Sequence, residues 1–308
     1  MTPSLKSVQC LSPAGLHRMA YKEWGDADNP KVLVCVHGLT RVADDFDALA
    51  PVLAAHYRVI CPDVVGRGRS GKLADPSHYV IPQYVSDMVA LLARADAQSV
   101  HWLGTSMGGL IGLALASLPG NPIEKLVLND IGPAINAEAL ARIGQYVGEP
   151  VRFATFDEAS AYIRAISATF GAHTDAEWRK LAADVLRQDA DGQWIRHYDL
   201  GLAAPFAAAA ASDPGGQMAE GMLWAAYDAI RCPTLLIRGA ESDLLSKEVA
   251  LAMTQRGPRP QLVELPHIGH APTLVHQDQI ALIENWLLDG SADSATAGSA
   301  ATAAAAKN

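Results

Sequence analysis

The stretch Val100-His101-Trp102-Leu103-Gly104-Thr105-Ser106-Met107-Gly108-Gly109 decides the fold of this chain. An apolar strand runs into Gly-x-Ser-x-Gly, and a helix of small and apolar residues, 110–118, follows. This layout is typical of a nucleophile elbow, a strained strand-to-helix turn that lifts a serine hydroxyl clear of a sheet. Glycine suits positions 104 and 108 because the turn is tight and the helix packs closely on neighbouring strands. Since the motif also occurs in ordinary glycine-rich connections, its meaning depends on what accompanies it.

The composition describes a globular enzyme and not a disordered protein. The chain has 308 residues, of which 50% are hydrophobic and 19% charged, enough for one large domain with an inserted subdomain. A net charge of −9, with no basic cluster beyond Arg67 and Arg69, argues against nucleic acid or an anionic membrane as partner. No apolar run approaches the ~18 residues of a membrane span. Residues 1–9 lack the apolar core of a signal peptide, so we expect a cytoplasmic protein. We expect it to be a monomer or a homodimer.

The four cysteines are scattered singly along the chain. We expect buried free thiols, which fits a reducing compartment. No spacing of cysteine and histidine predicts a metal site, and no glycine-rich loop has the pattern of a nucleotide site, so we expect neither a metal nor another cofactor.

Strands and helices alternate along most of the chain. Strands are predicted at 8–12, 17–24, 31–36, 57–61, 99–103, 125–129, 234–238 and 261–265. Helices are predicted at 45–56, 84–95, after Ser106, at 247–256 and at 277–288. This alternation indicates an α/β fold with a mostly parallel sheet covered by helices on both faces.

One long interval breaks the alternation. Between the halves of the core, residues 1–132 and 231–289, we expect an inserted helical cap at 133–230. Its helical patterns are at 137–147, 157–170, 175–189 and 218–229, and the alanine-rich piece 203–211 is either a helix or a flexible connection. The tail 290–308 is rich in alanine, serine and threonine and is predicted to be disordered.

A serine hydroxyl needs a base to take its proton and an acid to orient that base. The chain offers an acid in Gly239-Ala240-Glu241-Ser242-Asp243, directly after one predicted strand. It offers histidines in Pro266-His267-Ile268-Gly269-His270, directly after the next strand. Because sites in open α/β sheets lie at the carboxyl ends of the strands, we predict a triad of Ser106, Asp243 and His270.

Other assignments remain open at this stage. His267 is an alternative base, although Gly269 gives the backbone freedom to bring His270 into the site. Asp130, directly after the strand 125–129, is an alternative acid whose ordinary role would be to cap the turn that follows. Glu241 is a further, less favoured acid.

Acyl transfer also requires donors for the oxyanion of the tetrahedral intermediate. The residue after the nucleophile supplies one in this kind of elbow, so we expect the Met107 amide to be a donor. The loop His37-Gly38-Leu39-Thr40 follows a buried strand, and we expect its Leu39 amide to be the second donor.

Substrate contacts are harder to place from the sequence. His37 and Gly38, in the expected oxyanion loop, and Arg41, directly after it, are candidates, although Arg41 also suits a structural role. The aromatic residues of the insert, among them Trp178 and Trp194, are candidates for an apolar acyl pocket or for packing within the cap.

Taken together, these motifs resemble the α/β-hydrolase superfamily. The resemblance rests on His37-Gly38, Asp63-x-x-Gly66-x-Gly68-x-Ser70, the elbow around Ser106, the Asp243 loop and Gly269-His270-x-Pro272, and it spans residues 16–288. It implies an eight-stranded, mostly parallel sheet with a helical cap. Serine at the elbow argues against relatives that use aspartate there.

The resemblance also implies an activity. We expect a serine carboxylesterase that works through an acyl-enzyme on a small-molecule ester. A lactonase or a carbon–carbon bond hydrolase would use the same triad, and a non-catalytic ligand receptor would keep the fold and lose the chemistry. Leu39 and Thr40 stand where many ring-fission hydrolases and some lipases have glycine.

Overall fold

The computed structural model describes residues 1–213 and 216–289, so the predicted disorder of 290–308 lies outside the described residues. Within them an eight-stranded sheet has the order β1-β2-β4-β3-β5-β6-β9-β10, with β1 and β2 antiparallel to their neighbours and the rest parallel. The strands are β1 Ser4–Ser12, β2 Gly15–Trp24, β3 Val32–Val36, β4 Arg58–Pro62, β5 Val100–Thr105, β6 Ile123–Asn129, β9 Thr234–Gly239 and β10 Gln261–Leu265. A separate hairpin joins β7 Leu186–Gln188 to β8 Trp194–Arg196. The α/β architecture predicted from the alternation is confirmed.

The described helices lie on both faces of this sheet and in the segment between β6 and β9. They are α1 Ala50–Leu53, α2 Ile81–Arg94, α3 Met107–Ala116, α4 Ala137–Val147, α5 Phe156–Ile166, α6 Asp175–Val185, α7 Ala204–Ser212, α8 Gln217–Ala229, α9 Lys247–Met253 and α10 Gln277–Leu288. Side chains of β3 alternate between two cores, as period-2 geometry requires. Val34 packs with α2 and α3 on one face, and Leu33 packs with α1 and α10 on the other. No helix within the described ranges has the length and apolarity needed to cross a membrane.

The helix predicted at 45–56 is broken in the structure. A short 3₁₀ turn, Ala43–Phe46, is followed by the separate α1, which has Pro51 in its first turn. Proline lacks the amide hydrogen and clashes with the carbonyl four residues earlier, so one continuous helix through this position is disfavoured. The prediction missed the effect of Pro51.

The segment between β6 and β9, which we call the insert (residues 133–230), adds no strand to the large sheet in its described part. It contains α4 to α8 and the β7–β8 hairpin. The helix predicted at 175–189 ends at Val185, because Leu186, Arg187 and Gln188 pair with β8 instead. The alanine-rich piece is helical, as α7.

Candidate active site

Ser106 lies at the turn between β5 and α3. Its backbone has φ 51° and ψ −116°, a region that L-residues rarely adopt. The turn is tight on both sides: a Cβ on Gly104 would lie 2.2 Å from the carbonyl oxygen of Gly108, and a Cβ on Gly108 would lie 2.0 Å from that of Val36. Only glycine tolerates such approaches, so these two positions allow the serine to stand at the carboxyl end of the sheet.

His270 meets this serine from the loop after β10. Its Nε2 lies 2.9 Å from the Ser106 Oγ, within hydrogen-bond distance, and the imidazole is mostly buried. The Thr169 hydroxyl, from the insert, donates to the His270 carbonyl at 2.7 Å. In contrast, the side chain of His267, the alternative base, is 92% exposed and lies near Glu241. The structure therefore brings His270, and not His267, to the serine.

The acid at this imidazole is Asp130, and the prediction of Asp243 is corrected. His270 Nδ1 lies 2.7 Å from Asp130 Oδ2, and the carboxylate of Asp130 is fully buried. The ionised carboxylate only accepts hydrogen bonds, so Nδ1 must carry the ring hydrogen. Nε2 is then left to accept from the Ser106 hydroxyl.

Asp130 is held by the loop that was expected to supply the acid. Its Oδ1 accepts from the Gly239 amide at 2.9 Å, and its Oδ2 accepts from the Ser242 hydroxyl at 2.6 Å. These donors offset the cost of burying a carboxylate and fix its direction. The loop after β9 thus contributes supporting donors.

Asp243 itself turns away from the imidazole. Its carboxylate is 43% exposed and pairs with Arg142 of α4. Ser242, the residue before it, faces the buried carboxylate of Asp130. The acid therefore comes from the strand next to the serine, and the order along the chain is Ser106, Asp130, His270.

Close to the serine, two backbone amides of the described residues have no hydrogen-bond acceptor. Within the part of the chain that the structure describes, no hydrogen bond is donated by the amide of Leu39 or of Met107. Met107 is the first residue of α3, where amides have no partner inside the helix. The Gly38 backbone also approaches the serine: a Cβ on Gly38 would lie 3.7 Å from the Ser106 Cβ. This arrangement leaves two donors available for a ligand oxygen.

His37 supports the loop 37–40 and is not in the described lining of the cavity over Ser106. It is fully buried, its Nδ1 donates to the Gly38 carbonyl at 2.7 Å, and its Nε2 accepts from the Val64 amide at 2.9 Å. Both bonds require the neutral ring. Burial lowers the pKa of His37, against the opposing effect of nearby Asp63, and so keeps the ring neutral.

Arg67 was given no role by the sequence, yet it joins the loop that contains Leu39 to Met107 of the elbow. It is fully buried, and its Nε donates to the Leu39 carbonyl at 2.8 Å. Nη1 donates to the Val65 carbonyl at 2.7 Å and to the Tyr84 hydroxyl at 3.0 Å, while Nη2 lies 3.2 Å from the Met107 sulfur. The only signal in the sequence was its place in the Asp63–Ser70 loop.

A cavity opens over the Ser106 hydroxyl between the sheet and the insert. Its described lining comprises Gly38, Leu39, Thr40, Arg41, Thr105, Ser106, Arg142, Ile143, Tyr146, Ile163, Ile166, Ser167, Thr169, Phe170, Val185, Arg196, Tyr198, His270 and Ala271. Gly38 and Arg41, both predicted as substrate contacts, are part of it. Arg41 is already paired with Asp45 at 2.6 Å and donates to the Leu181 carbonyl.

The two tryptophans proposed for the pocket pack inside the insert instead. Trp178 is buried and stacks on Phe170, and Trp194 meets Phe156 edge-on. Neither is in the described lining of the cavity. The prediction that they contact substrate is corrected, since both rings are used in packing between elements.

One group of possible metal ligands occurs far from the serine in sequence, between the β1–β2 hairpin and α2. Within the described ranges, Cys10, His17 and Asp87 bring their ligand atoms within 4.8 Å of one another. His17 Nε2 and Asp87 Oδ2 are 3.0 Å apart, and the Gln83 amide donates to the other carboxylate oxygen at 2.8 Å. Both carboxylate oxygens are therefore engaged within the protein.

A strained serine after a parallel strand, paired with a histidine that a buried aspartate orients, defines the class of α/β hydrolases. The chain belongs to this class: the model of the alpha/beta hydrolase fold family matches residues 31–277. It is thus a hydrolase of the α/β fold.

Several relatives are similar over nearly the whole chain. A 3-hydroxybutyrate-oligomer hydrolase of Cupriavidus necator is 55% identical over 285 residues, which are 91% of this chain and 96% of that protein. A solved α/β hydrolase of Novosphingobium aromaticivorans is 37% identical with a TM-score of 0.80, covering 92% of this chain and 97% of its own. A solved putative hydrolase of Rickettsia typhi is 31% identical with a TM-score of 0.82, covering 93% and 99%.

Proposed function

We propose that this protein is a serine carboxylesterase that cleaves small esters of short hydroxy acids through an acyl-enzyme. The observation that carries the proposal is the hydrogen-bonded chain from the Ser106 hydroxyl through His270 to Asp130, beside two amides without acceptors. The substrate class is supported by the 55% identity to the 3-hydroxybutyrate-oligomer hydrolase.

In the proposed reaction His270 Nε2 takes the proton of the Ser106 hydroxyl as the oxygen attacks the ester carbonyl. The imidazolium that forms is stabilised by Asp130, which keeps the ring hydrogen on Nδ1. The negative oxygen of the tetrahedral intermediate accepts from the Leu39 and Met107 amides, each worth roughly 10²–10³ in rate.

The intermediate then breaks down. His270 gives its proton to the leaving alcohol oxygen, and the acyl group stays on Ser106. Water is next deprotonated by His270 and attacks the acyl carbonyl, and the same proton returns to the Ser106 oxygen as the acid leaves. No step needs a metal or a cofactor.

We also propose that the insert, 133–230, is the cap over a core formed by 1–132 and 231–289. Arg142, Tyr146, Phe170 and Tyr198 of the insert line the cavity opposite Ser106. A lining contributed by both parts would shield the acyl-enzyme from water and select the substrate by shape.

The experiment is a substrate panel combined with a fluorophosphonate probe. The wild-type protein should hydrolyse p-nitrophenyl butyrate and oligomers of 3-hydroxybutyrate, and the probe should label Ser106. The Ser106→Ala variant should keep its circular dichroism spectrum and lose both activities by about 10⁴-fold or more. Labelling absent from the wild type, or turnover confined to lactones or carbon–carbon substrates, would contradict the proposal.

A further inference from the structure

Two of the described side chains that line the Ser106 cavity each carry a buried polar atom without a hydrogen-bond partner. Within the described residues, the Nε of Arg196 and the hydroxyl of Tyr198 are buried and have none. Arg196 is 5% exposed and Tyr198 8%, and both side chains line the cavity. An unpaired buried polar group is costly, so such atoms in a native structure call for an explanation.

The charge of this wall points to an anionic ligand. The described lining of the cavity includes three arginines and no aspartate or glutamate. Arg41 is paired with Asp45, and Arg142 with Asp243. Arg196 donates to the Glu149 carbonyl and, at 3.4 Å, to the Tyr162 hydroxyl, and no described carboxylate forms an ion pair with it.

Arg196 and Tyr198 are also held beside each other. The guanidinium carbon of Arg196 lies 5.0 Å from the centroid of the Tyr198 ring. Burial raises the pKa of Tyr198, so its hydroxyl keeps a hydrogen to donate. The guanidinium thus lies over the phenol ring, and the two neighbouring side chains offer an N–H and an O–H donor, which suit the two oxygens of a carboxylate.

We propose that Arg196 and Tyr198 form a subsite for a free carboxylate carried by the ester substrate. The inference rests on the proposed function and adds to it the charge of the substrate and the residues that recognise it. The Arg196 Nε and the Tyr198 hydroxyl are covered by protein. They therefore bind the carboxylate after the two side chains turn toward the cavity that they line. The preferred substrates are then short esters with an anionic end, and neutral esters of the same size are poorer.

The two residues also border a second cavity, of about 460 Å³, which is lined in part by the β7–β8 hairpin. Arg187, on the same hairpin, lines this second cavity and is outside the described lining of the first. The Arg187→Met variant therefore removes one positive charge from the same hairpin without changing the described wall over Ser106. It is a matched control for the Arg196→Met variant.

The test compares two pairs of esters that differ only in charge at one end. In the first pair the carboxylate is on the acyl side. Mono-p-nitrophenyl glutarate is compared with the p-nitrophenyl ester of glutaric acid monoamide, which is neutral. In the second it is on the alcohol side: 3-(butyryloxy)butyrate against 3-(butyryloxy)butyramide. The readout is the ratio of kcat/KM for the charged and the neutral member of each pair.

For the wild type we expect a ratio of about ten or more in at least one pair. The difference should arise mainly from a lower KM for the charged ester. The Arg196→Met variant should bring that ratio close to one, since a fork donor and its charge are both lost. The Tyr198→Phe variant removes only a hydroxyl that has no partner, so folding is unaffected, and the ratio should fall severalfold. The Arg187→Met variant should keep the wild-type ratio.

The outcomes separate the two proposals. If the wild type hydrolyses the neutral esters but shows a ratio of one or less in both pairs, the subsite is refuted and the esterase function stands. A ratio that Tyr198→Phe leaves unchanged, or that Arg187→Met lowers as much as Arg196→Met does, also refutes it. If no ester is hydrolysed and the fluorophosphonate probe does not label Ser106, both proposals fail.

Discussion

Ser106 and Asp130 follow directly after paired residues of two adjacent parallel strands. Thr105 of β5 is opposite Asn129 of β6, and the next residue of each strand turns to a positive φ, 51° for Ser106 and 57° for Asp130. The Ser106 amide donates to the Asn129 carbonyl at 2.9 Å, which ties the two turns together. The same pair of strands thus positions Ser106 and Asp130, and the His270 ring is within hydrogen-bond distance of both side chains.

The first prediction tests which aspartate orients His270. The Asp130→Asn variant should lower kcat by about 10³–10⁴-fold, because an amide can hold the imidazole in the wrong tautomer and cannot stabilise the imidazolium. The Asp243→Asn variant removes a carboxylate that is partly exposed and pairs with Arg142, and it should remain within about twofold of wild type. Steady-state kinetics on p-nitrophenyl butyrate decides between them. Equal losses in the two variants would restore Asp243 as a candidate.

A second prediction concerns Arg67, which holds the loop 37–40, the proposed oxyanion loop, to the elbow. The Arg67→Met variant leaves the carbonyls of Leu39 and Val65 without this donor. We expect kcat to fall by about 10- to 100-fold with little change in KM, because a misplaced donor acts on the transition state more than on the bound ester. The Arg67→Lys variant keeps the charge but loses the planar fork, so it should recover only part of the rate. A fall in melting temperature with an unchanged kcat would show that Arg67 is only structural.

The third prediction concerns the packing of the elbow. A Cβ at position 108 would overlap the Val36 carbonyl, so the Gly108→Ala variant should be destabilised by about 3 kcal/mol or more. Gly221 provides a control within α8, because a Cβ there meets no atom within 4 Å. The Gly221→Ala variant should be stabilised by about 0.5–1 kcal/mol. Urea denaturation measures both changes, and a neutral Gly108→Ala variant would contradict the packing described for the elbow.

A fourth prediction concerns pH and His37. Its pKa is lowered in the folded protein, so the neutral ring favours folding. This contribution is complete above the unfolded pKa of about 6.5 and is lost as the pH falls through that value toward the folded pKa, by up to about 1.4 kcal/mol per pH unit. The His37→Gln variant lacks this dependence, so its deficit in free energy of unfolding should shrink between pH 7.5 and pH 5.

Urea denaturation of both proteins at several pH values measures that deficit. Burial also lowers the pKa of His173 and of His197, but both are present in the two proteins and cancel in the difference. Parallel pH dependences for wild type and variant would contradict the assignment of the neutral ring to His37.

The sequence by itself determined the α/β fold and singled out Ser106 and His270, because each depends on a local pattern. Gly104 and Gly108 mark the elbow at fixed spacing, and apolar runs such as Val32–Val36 mark strands that are buried on both faces.

Only the tertiary structure decided that Asp130 and not Asp243 faces His270. Both aspartates follow a strand of the same sheet, Asp130 directly after β6 and Asp243 four residues after β9. Which of them reaches His270 depends on the direction of each side chain after the chain has turned. Arg67 likewise joins Leu39 to Met107 across distant parts of the chain, where no periodicity or spacing could indicate contact. Only the tertiary structure shows that the Arg196 Nε and the Tyr198 hydroxyl are buried without a partner.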